Sequence, residues 1–510
     1  MSLKIQALRN IGSSWFGLGV SLAVGFFLSP YILHRLGDDA FGLWILVFSF
    51  TGYYGLFDLG IRSSIVKYVA QYTAANDHEG LARVINTSLF TYSCVALILL
   101  VATFVSSLYI DRLFHVSPAF LPTARLLFLM GGSAVALGFP LGVFGGILEG
   151  LQKFYLLNLT QVVSTVLRAV LIVLALRHGR GLLAVALITV TLPLAASVLY
   201  IAIARRFIPI QLGREFVDRP SLRQLMGYGL VTFIIIVADQ LRFQTDAVII
   251  GIFLSASAIT FFSIGSKLAE YAVAPVHSMA DIFLPMASHF DASKDMDRLR
   301  QVLIEGNRFC AFTMFPICAM LIVLGKSLIE VWVGPKYVSS YVILVLLLVP
   351  KALYRAQAAS TRMLFGMAKH RPLAAAAILE GVANLIISIA LIRPFGIIGD
   401  ALGTTIPLLA TSLLFLPLYL CRLLQVRVRT FLSRAYLPPL FLCTPLVAVL
   451  LLLQHWFQAR TYPQLLIQVA AGGLVYSVGL LWFFVTREPM GAKLRKEVAR
   501  RVSQAFQARA

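Results

Sequence analysis

Apolar residues run along this chain in long blocks separated by short polar stretches, and most blocks reach the roughly 20 residues that a helix needs to cross a bilayer. Such blocks fall at about 11–33, 41–70, 84–108, 120–147, 155–177, 182–204, 225–252, 258–285, 302–324, 339–365, 373–393, 399–420, 438–456 and 465–486. The pattern predicts an all-α integral membrane fold of about fourteen transmembrane helices. An even count returns the chain to the side it left, so both ends share one side of the membrane. The first block follows Lys4 and Arg9 and is too long for the apolar core of a cleaved signal, so it reads as the first span.

Composition agrees. Of 510 residues 59% are hydrophobic and 13% charged, where a soluble chain carries roughly a quarter charged. The net charge of +21 would suit nucleic acid, but most Lys and Arg lie in short loops between apolar blocks. Loops on the N-terminal side, with the tail, hold twenty-five of them and the opposite loops nine, so the positive-inside rule puts both termini in the cytoplasm. The basic tail from 487 serves topology and attraction to anionic lipid; no nucleic-acid partner is implied. The five cysteines form no C-x-x-C pair, which predicts neither disulfide nor metal site. Asn86-Thr87-Ser88 and Asn158-Leu159-Thr160 match the glycosylation sequon by chance, being near cytoplasmic helix ends. No loop exceeds roughly twenty residues, leaving no room for an outer catalytic domain, so the chain is not expected to be an enzyme.

The chain also repeats. Gly150-Leu151-Gln152-Lys153, an apolar helix, Arg177 to Gly181 and a further helix recur as Gly366-Met367-Ala368-Lys369, a helix, and Pro394 to Gly396, at an offset of about 216 residues. Two parallel six-helix bundles, 1–210 and 211–425, then enclose a central cleft, followed by two additional helices in 426–486 and the tail 487–510. In the fourth span Gly138, Gly142, Gly146 and Gly150 stand at four-residue spacing around Pro140, which suits close helix packing or a bendable gate.

Charges inside the spans carry the functional signal, because each costs about 2.5–3.5 kcal/mol at the helix centre. Lys351, Arg355 and Arg362 fall within roughly a 40° arc of one continuous helix with no acid beside them. Arg168 and Arg308 likewise have no acid within a turn. Asp58 and Arg62, the run Asp239, Arg242, Asp246, and Lys267 with Glu270 are spaced to pair along their own helices. Nine bases face six acids (Asp58, Asp239, Asp246, Glu270, Asp281, Glu380), a surplus of three cations. Arg168, Arg242, Arg308, Lys351, Arg355 and Arg62 are therefore candidates for binding an anion, for which arginine's planar fork suits phosphate. Asp58, Asp239, Asp246 and Glu270 are candidates for gating or for a coupling H+ or Na+; no other cofactor is implied.

On these residues the chain resembles a known family. Leu36-Gly37, Phe41-Gly42-Leu43-Trp44, Asp58-Leu59-Gly60, Gly146-Ile147-Leu148-Glu149-Gly150-Leu151-Gln152-Lys153 and Thr245-Asp246-Ala247-Val248-Ile249-Ile250-Gly251 look like the polysaccharide-biosynthesis exporters of the multidrug/oligosaccharidyl-lipid/polysaccharide superfamily, the flippases of O-antigen or exopolysaccharide repeat units. The resemblance implies a bacterial cytoplasmic-membrane protein that flips an undecaprenyl-pyrophosphate-linked glycan outward by alternating access, with membrane lipids and a polysaccharide polymerase as partners. Its alternatives are a peptidoglycan lipid-precursor flippase and a cation-coupled multidrug antiporter of the same fold, the latter disfavoured by a basic cleft. A membrane glycosyltransferase lacks the outer loop it would need.

Overall fold

The computed structural model describes residues 3–243 and 245–487, with the side chains of 3–8, 11, 228, 230–232, 234–235, 238–239, 241–243, 277–278 and 487 outside that description. The basic tail thus lies outside the described residues. In chain order the helices are α1 (Leu3–Leu36), α2 (Asp38–Gly52), α3 (Ile61–Ala75), α4 (His78–Leu108), α5 (Ile110–Leu113), α6 (Leu121–Gly150), α7 (Phe154–Arg177), α8 (Leu182–Ala204), α9 (Arg219–Phe243), α10 (Asp246–Phe253), α11 (Ala256–Met279), α12 (Phe283–Ala292), α13 (Met296–Val333), α14 (Ser340–Ala356), α15 (Ala358–Gly366), α16 (Arg371–Phe395), α17 (Ile397–Ala410), α18 (Leu416–Leu423), α19 (Val428–Ala435), α20 (Leu437–Trp456) and α21 (Tyr462–Arg487). No strand occurs among the described residues. Among the described residues eleven helical stretches are long and apolar enough to cross a membrane, and the pair α14 and α15, bent by 45°, makes a twelfth if it is counted as one span. The blocks expected at 225–252 and 258–285 are not in that set; they fold as α9 with α10, and as α11 followed by α12.

Helix interruptions distinguish the structure from the hydropathy pattern. The second block, 41–70, is not one helix. A 3-10 turn, Tyr53–Asp58, follows α2, then Leu59 and Gly60 take left-handed φ values of 52° and 71°, and α3 begins at Ile61. Glycine is needed at position 60, because a Cβ there would lie 2.1 Å from the carbonyl oxygen of Gly229. The stretch carrying Lys351, Arg355 and Arg362 is likewise broken: α14 ends at Ala356, Gln357 stands between, and α15 restarts at Ala358. Across from this break lies a π-helical turn, Thr411–Phe415, and Gln357 Nε2 donates to the Ser412 carbonyl at 2.6 Å. A widened turn frees backbone carbonyls, and in lipid those must find a donor.

The chain forms two compact units, Met1–Ser263 with Ala374–Pro407, and Ile264–Leu373 with Leu408–Ala510. In the first, Ile61, Ile65 and Val69 of α3 pack on Val143, Ile147 and Leu148 of α6 and on Ile85 of α4. Lipid offers no hydrophobic gain for helix association, so close contact through small residues must supply the attraction. Here α6 uses Gly146 and Gly150, whose added Cβ atoms would lie 3.1 Å from Ile65 and 2.9 Å from the Val66 oxygen. Pro140 sits inside α6 without breaking it. In the second unit Ala311, Phe312 and Phe315 of α13 meet Leu442, Leu446 and Leu450 of α20 and Tyr476 and Phe483 of α21.

Substituting Gly150 or Gly60 by alanine should destabilise the protein by about 1–3 kcal/mol, through overpacking at the first and left-handed strain plus overpacking at the second. Gly138→Ala, where a Cβ meets nothing within 4 Å, is the control and should melt within about 0.5 kcal/mol of wild type, read by thermal unfolding in detergent.

Candidate functional site

The interruption before α3 builds the first site. A helix that starts inside the membrane presents amide groups with no partner in the preceding turn, and its amino end favours negative charge. Asp58 answers part of this need: its Oδ1 accepts the Arg62 amide at 3.4 Å and also the Tyr92 hydroxyl from α4. Tyr92 lies fourteen residues into α4, about 21 Å along its axis from the start at His78. The Arg62 side chain does not pair with Asp58, as i,i+4 spacing on one helix predicted. It reaches across to α6, where Nη2 meets Glu149 Oε1 at 2.7 Å. The break at Leu59 and Gly60 removes the helical geometry on which the pairing rule depends.

Room for the guanidinium comes from missing side chains on α6. A Cβ at Gly142 would lie 3.8 Å from Arg62 Nη1, and one at Gly145 would lie 3.5 Å from Nη2 and 3.7 Å from the Tyr200 ring. Beside it opens a cavity of about 330 Å³, lined by Asp58, Arg62, Tyr92, Gly138, Phe139 and Gly142, with Val135. Arg62 keeps 47% of its side chain exposed, against 24% for Glu149. The glycine series on α6 therefore divides its work: Gly146 and Gly150 hold α3, while Gly138 and Gly142 line the cavity.

A second constellation in the same unit is acidic and dry. Asp246, at the first turn of α10, is 9% exposed and accepts from Thr404 Oγ1 at 3.2 Å. Asn384 Nδ2 donates to Thr404 Oγ1 at 3.2 Å, and Ser388 Oγ donates to Asn384 Oδ1 at 3.0 Å. Asp400 is fully buried next to Asp246, and neither carboxylate oxygen makes a hydrogen bond of good geometry, although the Ser388 hydroxyl lies close by. An ionised carboxylate in such a place is costly unless a proton or a cation sits beside it. Tyr53, from the turn before α3, donates to Thr245 at 2.8 Å or accepts from it. No cluster of three or more His, Cys, Asp or Glu suited to a metal occurs among the described residues.

The other expected residues are spread out. Arg168 is half-buried on α7, turned away from the exposed apolar face of Leu159, Val163, Val170 and Leu174. Asp239 and Arg242 fall on α9, and their side chains lie outside the described residues. In the second unit Lys351 and Arg355 are half-buried near the end of α14, with the Arg355 guanidinium 5.8 Å from the Tyr354 ring. Arg362 departs from their stripe: the bend turns it to Asp281, which it meets at 2.7 Å. Arg308 lies 5.9 Å from the Phe483 ring of α21, and Glu270 is exposed. A larger, mostly apolar cavity of about 1220 Å³ in this unit is lined by Phe315, Leu353, Gln357, Ser412, Tyr436 and Leu440 among others, and by none of the expected cations.

Four participants escaped the sequence reading. Glu149 lies two residues past the expected end of its span, and Asp400 sits at the second position of its block, where an acid reads as surface. Counting both, the surplus of three cations within the spans falls to one. Tyr92 and Thr404 carried no charge signal at all.

Known proteins are similar to this chain over most of its length. The chain is 22% identical over 504 residues to the uncharacterised membrane protein EpsK of Bacillus subtilis (strain 168), covering 97% of this chain and 98% of that protein. It is 21% identical over 427 residues to a protein named as an O-antigen transporter in Shigella flexneri, covering 81% and 98%. Among solved structures, the lipid II flippase MurJ in an inward closed conformation superposes with a TM-score of 0.73 at 16% identity, covering 94% of this chain and 99% of that one. The same fold is seen in an inward-facing multidrug resistance MATE family transporter of the MOP superfamily, which superposes with a TM-score of 0.64 at 15% identity, covering 84% of this chain and 96% of that one. A family model described as polysaccharide biosynthesis protein matches residues 7–291, more than half of the chain, and the chain belongs to that family.

Proposed function

We propose that this protein flips a polyprenyl-pyrophosphate-linked oligosaccharide from the cytoplasmic to the outer leaflet of a bacterial cytoplasmic membrane, by alternating access, with both termini in the cytoplasm. The observation that carries the reading is Arg62: a guanidinium half-exposed over a glycine face, beside an open cavity and the amino end of a helix that begins just after an interrupted span. Amide groups at such an end and a planar guanidinium together suit a pyrophosphate. The names of the relatives, an O-antigen transporter and a lipid II flippase, support cargo of the same chemical class. Arg168 and Arg242, which belong to the same unit, are assigned to the same anion, and Arg308, Lys351 and Arg355 to anion binding within the second unit. The sugars occupy polar space and the polyprenyl chain stays in lipid. A polysaccharide polymerase receives the product.

Energy for outward movement has two sources. An anion leaving an inside-negative cell gains about 2.3 kcal/mol per charge per 100 mV. The pair Asp246 and Asp400, with Thr404 and Asn384 as neutral oxygen ligands, is a site for a coupling H+ or Na+, since either ion supplies the neutralisation that Asp400 lacks.

Arg62→Ala should reduce surface-polysaccharide export at least tenfold with unchanged protein level, and Arg62→Lys should restore only part, because the bidentate geometry is gone. Export at the wild-type level in Arg62→Ala contradicts the assignment. Asp400→Asn should leave a folded protein whose transport in proteoliposomes no longer responds to an imposed Na+ or pH gradient; an undiminished response places the coupling ion elsewhere.

A further inference from the structure

Two carboxylates already stand where an anion would bind, and they are held differently. Asp58 accepts from the Arg62 amide and from the Tyr92 hydroxyl, so it is fixed by both α3 and α4. Glu149 has one partner, the Arg62 guanidinium at 2.7 Å. It also occupies the next-to-last position of α6, whose carboxyl end repels negative charge. Nothing about that position favours an acid except the arginine opposite it. Its side chain is partly exposed, and the cavity beside Arg62 is open.

We propose that Glu149 is a displaceable counter-ion: it holds Arg62 between transport events, yields the guanidinium to the phosphate of the incoming substrate, and reclaims it to drive release. The inference rests on the assignment of Arg62 to the phosphate. An arginine within a membrane protein and without a partner is costly, and one that binds a phosphate with nothing to compete would release it slowly. An acid that competes for the same guanidinium meets both difficulties, because the charge stays paired in the empty and in the loaded state. The helix-end placement matters here: it keeps the internal competitor weaker than a pyrophosphate and stronger than water. Asp58 takes no part in the exchange, since removing it would strip the start of α3 and Tyr92 of their acceptor. The glycines at 142 and 145 leave the guanidinium space to swing between its two anions.

The test is the binding of farnesyl pyrophosphate to the purified full-length protein in detergent, read beside polysaccharide export in cells. Glu149→Gln keeps the length and one hydrogen-bond acceptor but loses the charge that competes; it should bind the probe about tenfold more tightly while export falls. Glu149→Asp, which restores the charge, should return the affinity toward wild type, an outcome that a purely structural role would not produce. Arg62→Ala should lose binding whichever residue stands at 149. If Arg62→Ala binds like wild type, the phosphate assignment itself is wrong. If Arg62→Ala loses binding while Glu149→Gln binds no tighter than wild type, the counter-ion exchange is overturned and the phosphate assignment stands.

Discussion

Hydrocarbon satisfies no amide and no charge, and the first unit is organised around one place where the chain defies that constraint. By ending a helix at Asp58 and restarting it at Ile61, the second block places the amino end of α3 beside Tyr92, midway along the apolar helix α4. Everything nearby answers to it. Asp58 and Tyr92 supply the acceptor and its support, Gly60 admits the close approach of Gly229, and the glycine face of α6 makes space for Arg62, which Glu149 neutralises. A continuous helix would have satisfied its own amides and paired Asp58 with Arg62 along one face. It would also have left no open pocket with a guanidinium at its edge.

The second buried feature follows the same physics with the opposite sign. Asp246 and Asp400 are held among Thr404, Asn384 and Ser388, neutral groups that donate or accept without cancelling charge. One feature holds an arginine against an internal acid and the other holds two neighbouring carboxylates, and both lie within a single compact unit. On the proposed function, movement of a charged head group and movement of an ion would act on the same folded body.

Hydropathy made the membrane class and most of the spans legible, because long apolar blocks admit no other reading. The motif Asp58-Leu59-Gly60 was visible as well, but its role as a helix break was not: left-handed residues leave no mark on a hydrophobicity pattern. The same blindness merged Lys351, Arg355 and Arg362 into one stripe, where the structure breaks the helix at Gln357 and turns Arg362 to Asp281. Glu149 and Asp400 were missed at segment ends, where an acid is ordinarily solvated. Partners from other helices, such as Tyr92 and Thr404, depend on tertiary packing that spacing along one helix does not encode.

The most direct test of the central claim is the fate of the cargo when the protein is deleted. Lipid-linked glycan should accumulate and remain confined to the cytoplasmic leaflet, shielded in intact cells from a membrane-impermeant periodate reagent that reaches it after the membrane is opened. Lipid-linked glycan that reaches the outer leaflet at the wild-type rate in the deletion strain would contradict the account.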